Sequence, residues 1–345
     1  MEDFICRLKE QGFSQGSCSV KVDGKNMPVC RATLASEGNE ISRFITSIHL
    51  SRPENYLSIY QSGCNFSCRK CHSWYFSKVK EGRWYLAREI LNQAITYERS
   101  VTLVESREKA TAWHAHDMCR CCGSCVIHGK RSSSCPGLLE PESITLSPQG
   151  FGPVRNIVAF TGGDVTCCPE FYGECTRLIK AHTDLFVLIE TNGYGLTPKN
   201  LDYLQDCGVD AFWLDIKAHD SEKHRWLTGC SNENILRLPM EIRNRGFVLE
   251  VLSLYIPTLV EADELERIAQ ELMGVDPTIP FTILAFFPEY RMKSFRSPSV
   301  EEMVEAYKRT KTAGLRKIRL GNLSVFISTE RDQQYLIDNV DFGSY

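Results

Sequence analysis

From about residue 54 onward the chain alternates between short apolar runs and amphipathic stretches, and this alternation limits the fold more than any single residue does. The apolar runs cover residues 55–61, 155–160, 185–190, 210–216, 247–255 and 281–286. Runs of this length, rich in β-branched and aromatic residues, read as buried strands. Helical patterns fill most of the gaps, at 170–182, 234–246, 262–274 and 299–314, and the last three close on a glycine suited to a C-cap. Strands alternating with helices, joined by right-handed crossovers, give a parallel sheet with helices outside. The expected fold class is therefore α/β, a partial (β/α)6 TIM-like barrel formed by residues 54–99 and 151–330. Residues 1–53, polar with weak strand signals, read as a small N-terminal extension packed on the barrel. Residues 331–345 read as a C-terminal tail. Residues 100–150 have little apolar periodicity but five cysteines, and form a Cys-rich insertion between the first and second strand–helix units. Loops at the C-terminal ends of parallel strands carry the chemistry of α/β proteins, and the insertion is expected there.

Sixteen cysteines in 345 residues require an explanation. The N-terminal stretch MEDFICRLKEQGF carries acids and no continuous apolar run, so it is not a signal peptide. The longest apolar runs are too short to span a bilayer, and no membrane partner is expected. The chain thus reads as cytoplasmic, where thiols stay reduced and metal ligation explains many cysteines better than disulfides do. A formal charge of −3 gives no electrostatic reason to expect nucleic acid. Cys207 and Cys230, isolated in apolar segments, read as buried core thiols. Cys167, Cys168 and Cys175 are given no role.

The first strand leads into Gly63-Cys64-Asn65-Phe66-Ser67-Cys68-Arg69-Lys70-Cys71-His72. Three thiolates spaced by three and then two residues on a loop can wrap one face of a four-iron cubane and leave one iron open. A zinc knuckle with His72 as fourth ligand is the alternative. After the second strand come Gly162-Gly163-Asp164, where glycines permit close backbone approach and an acid can accept from an ammonium group. The third strand ends in Glu190-Thr191-Asn192-Gly193, which a plain Asn-Gly turn would also explain. The fourth delivers Asp215 and Lys217 to one strand face, either as ligand contacts or as a structural ion pair.

Residues 64–71 resemble the CX3CX2C signature of the radical S-adenosylmethionine superfamily, and most of all its glycyl-radical-enzyme activases, the pyruvate formate-lyase activating enzymes. Gly162-Gly163-Asp164 resembles the GGE motif of that family, Glu190-Thr191-Asn192-Gly193 its DTNG-like segment, and Asp215-Ile216-Lys217 with the downstream His224, Leu227, Thr228 and Gly229 its D-[LI]-K block. The resemblance implies a catalytic [4Fe–4S] cluster on Cys64, Cys68 and Cys71. It implies S-adenosylmethionine held by Gly162, Gly163, Asp164, Thr191, Asn192, Asp215 and Lys217. It further implies an anaerobic oxidoreductase: reductive cleavage to a 5′-deoxyadenosyl radical, hydrogen abstraction from a protein or peptide substrate, and an electron donor such as flavodoxin or ferredoxin. Three positions depart from the pattern. Lys70 stands where an aromatic residue usually meets adenine, with Trp74 or Tyr75 as substitutes. Asp164 shortens the usual Glu. Phe287 replaces a histidine, with Arg291 as a replacement contact. His224 reads either as substrate-facing or as an exposed helix-end residue.

In the insertion, Cys119, Cys122, Cys125 and Cys135-Pro136 follow a ferredoxin-like spacing, with a longer last gap than the bacterial run. Many activases carry a ferredoxin-like insert at this place, which implies an auxiliary [4Fe–4S] cluster. Zinc remains the alternative, since Cys121, His114, His116 and His128 offer other ligand sets. Three functions compete: an activase of a glycyl radical enzyme, an enzyme modifying another peptide or small molecule with help from the auxiliary cluster, and a zinc-binding protein without redox chemistry.

Overall fold

The computed structural model describes residues 2–38 and 40–345. Nine strands build the main sheet: β1 (Leu34–Glu37), β2 (Glu40–Ser51), β3 (Tyr56–Gln61), β4 (Ile157–Gly162), β5 (Phe186–Thr191), β6 (Ala211–Asp215), β7 (Val248–Tyr255), β8 (Phe281–Ala285) and β9 (Ile318–Gly321), with two short edge strands besides. From β3 to β9 each strand pairs in parallel with the next in sequence. β1 and β2 extend the sheet antiparallel beyond β3, so the N-terminal extension is continuous with it. Among the described residues the path of strands does not close on itself, which makes the architecture a partial barrel.

All six predicted runs are strands, and β9 adds a seventh parallel one that the pattern did not reveal. It is four residues long, and the charged Arg319 leaves it without a continuous apolar run. Along β4, Val158 and Phe160 join the large core beneath the helices. Ile157 and Ala159 pack on the other face with Tyr56, Leu188 and Ala211. That is the two-residue period of a sheet buried on both sides.

The flanking helices are α1 (Ala87–Glu98), α2 (Glu170–His182), α3 (Pro198–Asp206), α4 (Ser221–Thr228), α5 (Leu238–Asn244), α6 (Ala262–Val275), α7 (Val300–Thr312) and α8 (Glu330–Asn339). In α6 the buried side chains Ala262, Leu265, Ile268, Ala269 and Leu272 recur every three or four residues. This is the stripe a helix needs to cover a sheet, and each fully buried leucine or isoleucine contributes about 1.5–3 kcal/mol. Gly246 and Gly314 follow α5 and α7 with positive φ, as the C-cap reading requires. Gly274 does not cap α6. The helix runs on to Val275 and stops at Asp276, whose carboxylate accepts from the Thr278 backbone N–H at 2.8 Å.

The insertion corrects a second expectation. It enters from α1 and leaves into β4, which places it at the N-terminal ends of the strands, opposite the mouth. There Glu105 pairs with the fully buried Arg155 just before β4. Arg107 pairs with Asp210 before β6 at 3.1 Å. Ala110 and Ala112 plug the inner core. Residues 331–345 are not a loose tail either: α8 packs on α7 through Leu336, and the Ser344 carbonyl accepts from Leu320 of β9 at 2.7 Å. No helix among the described residues is long and apolar enough to cross a membrane.

Candidate active site at the strand C-terminal ends

β3 runs directly into the cysteine triplet. The loop turns at Gly63, whose φ of +78° suits glycine alone. Beyond it the backbone is pinned at alternate residues. Asn65 N donates to Asp164 O, Ser67 N to Thr228 O and Arg69 N to Leu227 O, each at 2.8 Å. One anchor comes from the turn after β4 and two from the end of α4, so two neighbouring elements fix a loop with no regular structure of its own. Gly163 makes this approach possible, because a Cβ there would lie 2.1 Å from the Gly63 carbonyl oxygen.

Cys64, Cys68 and Cys71 are partly exposed and line one cavity of about 360 Å³ with Asp164, Thr191, Asn192, Asp215 and Lys217. The structure therefore brings together the triplet and the side chains that end β4, β5 and β6. The Cys64 sulfur accepts from Phe66 N at 3.5 Å and from Asn192 Nδ2 at 3.6 Å. Burial raises the Cys64 and Cys68 thiols above their ordinary range, and Lys78 and Lys217 respectively oppose that rise. Such sulfurs are poor solvent-exposed nucleophiles but suit a ligand whose charge a metal balances.

Asp215 and Lys217 form an ion pair on the cavity wall. Burial works against the Lys217 charge, yet Asp215 and the Cys68 thiol hold its ammonium above the usual lysine range. Among the described residues, Asp215 Oδ1 and the indole Nε1 of Trp213 are buried without a partner and belong to residues lining the same cavity. An unsatisfied acceptor and an unsatisfied donor in the lining of one cavity fit a polar ligand. Asp164 behaves differently from expectation. Its Oδ1 accepts from Thr166 N and Oγ1, and its Oδ2 from Thr191 Oγ1 and Asn192 N, all at 2.7–2.9 Å. With both oxygens occupied it braces the turn after β5.

Two of the off-pattern residues meet each other. Lys70 Nζ lies 3.4 Å from the centre of the Phe287 ring and 2.9 Å from Glu289 Oε2. Glu289 also contacts His72 Nδ1 at 3.1 Å. Trp74 and Tyr75 do not take the vacated aromatic place; Trp74 stacks on Tyr290 at 5.3 Å, away from the cavity. Arg291 is exposed and does not line it. His224 is neither substrate-facing nor exposed. It is fully buried, its Nδ1 at 2.9 Å from the Cys230 carbonyl and its ring edge-on to Phe66. A second cavity of about 460 Å³ shares Cys68, Lys70, Asp215 and Lys217, and its far wall is apolar, with Leu252, Leu254, Ile256 and Phe287.

The sequence reading places Glu190 in the motif that ends β5 but gives it no role of its own, because an acid inside a strand announces no partner. It accepts from Tyr56 Oη at 2.7 Å and from Thr161 Oγ1 at 2.5 Å, and burial pushes its carboxyl up to about 8.

The insertion cysteines lie elsewhere. Asn55, just before β3, donates to Cys121 Sγ at 3.3 Å, Cys122 is exposed beside Ser132, and Cys119, Cys125 and Cys135 are partly exposed. Since β3 separates Asn55 from the triplet, the two cysteine sets stand about one strand length apart, roughly 20 Å. His114 pairs with Asp117 at 2.6 Å, and burial beside Arg319 and Arg120 lowers His116 to about 4. Among the described residues no three Cys or His ligand atoms of the insertion lie within 4.8 Å of one another.

The family model of the Radical SAM superfamily matches residues 119–272, a stretch that begins after the triplet. A protein of Methanocaldococcus jannaschii, provisionally described as a glycyl-radical enzyme activating enzyme, is 29% identical over 153 residues, 43% of this chain and 57% of the relative. The chain thus matches little more than half the length of that relative. Among solved structures, a domain of pyruvate-formate lyase-activating enzyme from Bacteroides vulgatus is 19% identical with a TM-score of 0.42, over 48% of this chain and 98% of that one. TYW1 with a lysine-pyruvate adduct is 12% identical with a TM-score of 0.45, over 83% and 87%.

Proposed function

We propose that this chain, which matches the radical SAM superfamily model over residues 119–272, cleaves S-adenosylmethionine reductively and abstracts hydrogen from a protein or peptide, in the manner of the glycyl-radical-enzyme activases. The observation that carries the reading is the triplet loop, pinned at the strand C-terminal ends in one cavity with Asp215, Lys217, Thr191 and Asn192. Bound there, a [4Fe–4S] cluster with S-adenosylmethionine supplies one-electron cleavage of the sulfonium and the hydrogen abstraction that follows.

The chain's own residues do the rest. Cys64, Cys68 and Cys71 hold the cluster, and the Phe66 and Asn192 N–H groups draw charge from the Cys64 sulfur, which raises the cluster potential. Lys217, kept cationic by Asp215, offsets the negative charge of the ligand sulfurs. Asp215 Oδ1 and Trp213 Nε1 offer a free acceptor and donor to the cofactor, a task the saturated Asp164 leaves to them. Gly162 and Gly163 let the backbone approach, and Asp164 holds Thr191 and Asn192 in place. The apolar cavity beside Lys217 suits a substrate segment and keeps water from the reaction.

The insertion is proposed to hold an auxiliary [4Fe–4S] cluster on Cys119, Cys122, Cys125 and Cys135. At the far end of the sheet it cannot anchor a substrate at the mouth, which favours an electron-relay role. Anaerobic reconstitution tests the whole. A brown protein with a reduced-cluster EPR signal that releases 5′-deoxyadenosine with dithionite is expected; a colourless protein with zinc bound at the triplet overturns it. Activation of a glycyl radical enzyme, read as a glycyl EPR doublet on the partner, separates the activase from other peptide modification.

A further inference from the structure

Three thiols from separate segments, two of them in the N-terminal extension, meet outside both proposed cluster ligand sets. Cys6 precedes the helical turn Arg7–Glu10, Cys30 lies in the short helix Val29–Thr33, and Cys167 sits in the loop between β4 and α2. Their sulfurs all lie within 4.8 Å of one another, with Cys30 and Cys167 3.5 Å apart, and all three residues are buried. Cys168, fully buried and next in the chain to Cys167, brings a fourth thiol beside this group but outside its 4.8 Å circle, with its sulfur 3.7 Å from the Ile5 carbonyl. A tetrahedral zinc ion with Zn–S bonds of about 2.3 Å sets its sulfurs about 3.8 Å apart, whereas thiolates on different irons of a cubane stand farther apart. The spacing therefore matches one shared ion.

A second observation is independent of the sulfurs. Arg43 is completely buried and hydrogen-bonds to Gln61, Thr33 and the Gly63 carbonyl, all uncharged. It makes no ion pair among the described residues; Tyr172, Cys30, Cys167 and Asp164 lie near enough to act on its charge against the effect of burial. A buried guanidinium with no counter-ion in direct contact is costly. Four thiolates around a divalent ion carry a net charge of −2 and would supply one.

We propose that Cys6, Cys30, Cys167 and Cys168 bind a single zinc ion as a structural tetrathiolate site. Loading is redox-neutral: four S–H bonds ionise, four Zn–S bonds form and the protons leave to solvent. The ion ties the N-terminal extension to the loop three residues beyond Asp164, and so braces the turn that holds Thr191 and Asn192.

The test uses the full chain, produced with both iron and zinc, isolated anaerobically and analysed for both metals. About one zinc per chain is expected beside the iron. The double variant Cys6→Ser/Cys30→Ser should lose the zinc and keep its iron, while Cys122→Ser/Cys125→Ser should keep the zinc. Zinc that survives the first variant, or vanishes only in the second, overturns the proposal, as does loss of iron in place of zinc. If the first variant does not fold, zinc-edge X-ray absorption on the Cys122→Ser/Cys125→Ser protein decides. An all-sulfur shell of four supports the site, and nitrogen or oxygen ligands, or no zinc, sink it. None of these readouts depends on whether S-adenosylmethionine is cleaved.

Discussion

The two cysteine-rich regions sit at opposite ends of one sheet and are held in opposite ways. At the mouth, the triplet loop borrows rigidity: its backbone N–H groups bond to the ends of β4 and α4, and its sulfurs stand beside charged and amide groups placed by β5 and β6. At the base, the insertion is anchored by its first part, through Glu105 and Arg107, while Cys122 is exposed, Cys125 lies in the short helix Ser124–His128 and Cys135 is partly exposed. A loop that must position a reacting ligand needs a scaffold on every side. A loop that only has to hold a cluster within reach of the surface does not.

The strongest test of that contrast removes one ligand from each end. Cys68→Ala should abolish 5′-deoxyadenosine release, whereas Cys122→Ser should lower iron content yet leave dithionite-driven cleavage largely intact. Loss of cleavage in both would make the base part of the catalytic centre and erase the distinction. Next in size, Arg155→Ala leaves Glu105 buried and unpaired and should cost about 3–5 kcal/mol in anaerobic urea unfolding. Cleavage per folded molecule should be unchanged, since the pair lies at the base.

A smaller effect separates the ends by pH. Burial raises Glu190 from the ordinary 4.5 to about 8, so the folded state binds its proton more tightly than the unfolded chain does. The stability this contributes is complete below about 4.5 and is lost as pH rises through about 8. Glu190→Gln should flatten that loss in thermal scans across the window; an unchanged slope would assign it to other groups, Glu250 first, which burial raises to about 7. Smallest is the contact between Lys70 and Phe287. A double-mutant cycle to alanine should give a coupling of about 0.5–2 kcal/mol.

Much of this was legible in the chain because two signals were strong. Buried parallel strands are short apolar runs, and all six such runs became strands. The triplet and the motifs after β4, β5 and β6 fell in the right order to share a cavity. What stayed hidden depended on partners far away in sequence. β9 is too short and too charged to show a period. The insertion went to the wrong end of the sheet because spacing between cysteines says nothing of which strand terminus they reach. Asp164 could be read as an acceptor, but not as one already filled by Thr166, Thr191 and Asn192. His224 looked polar and exposed, yet its neighbours Phe66 and Cys230 enclose it. The thiols at Cys6, Cys30 and Cys167 have no shared motif at all; only folding brings them together.

Lys70 and Phe287 each look like a defect when their positions are judged singly against the family pattern. In the folded chain they answer one another, a cation resting on a ring, with Glu289 holding the cation from the side. Inheritance should treat them as one character. In descendants that regain an aromatic residue at position 70, the ring at 287 has lost its guest and is free to revert to a polar side chain. A lineage that changes one position alone passes through an intermediate with a stranded ammonium group beside the mouth.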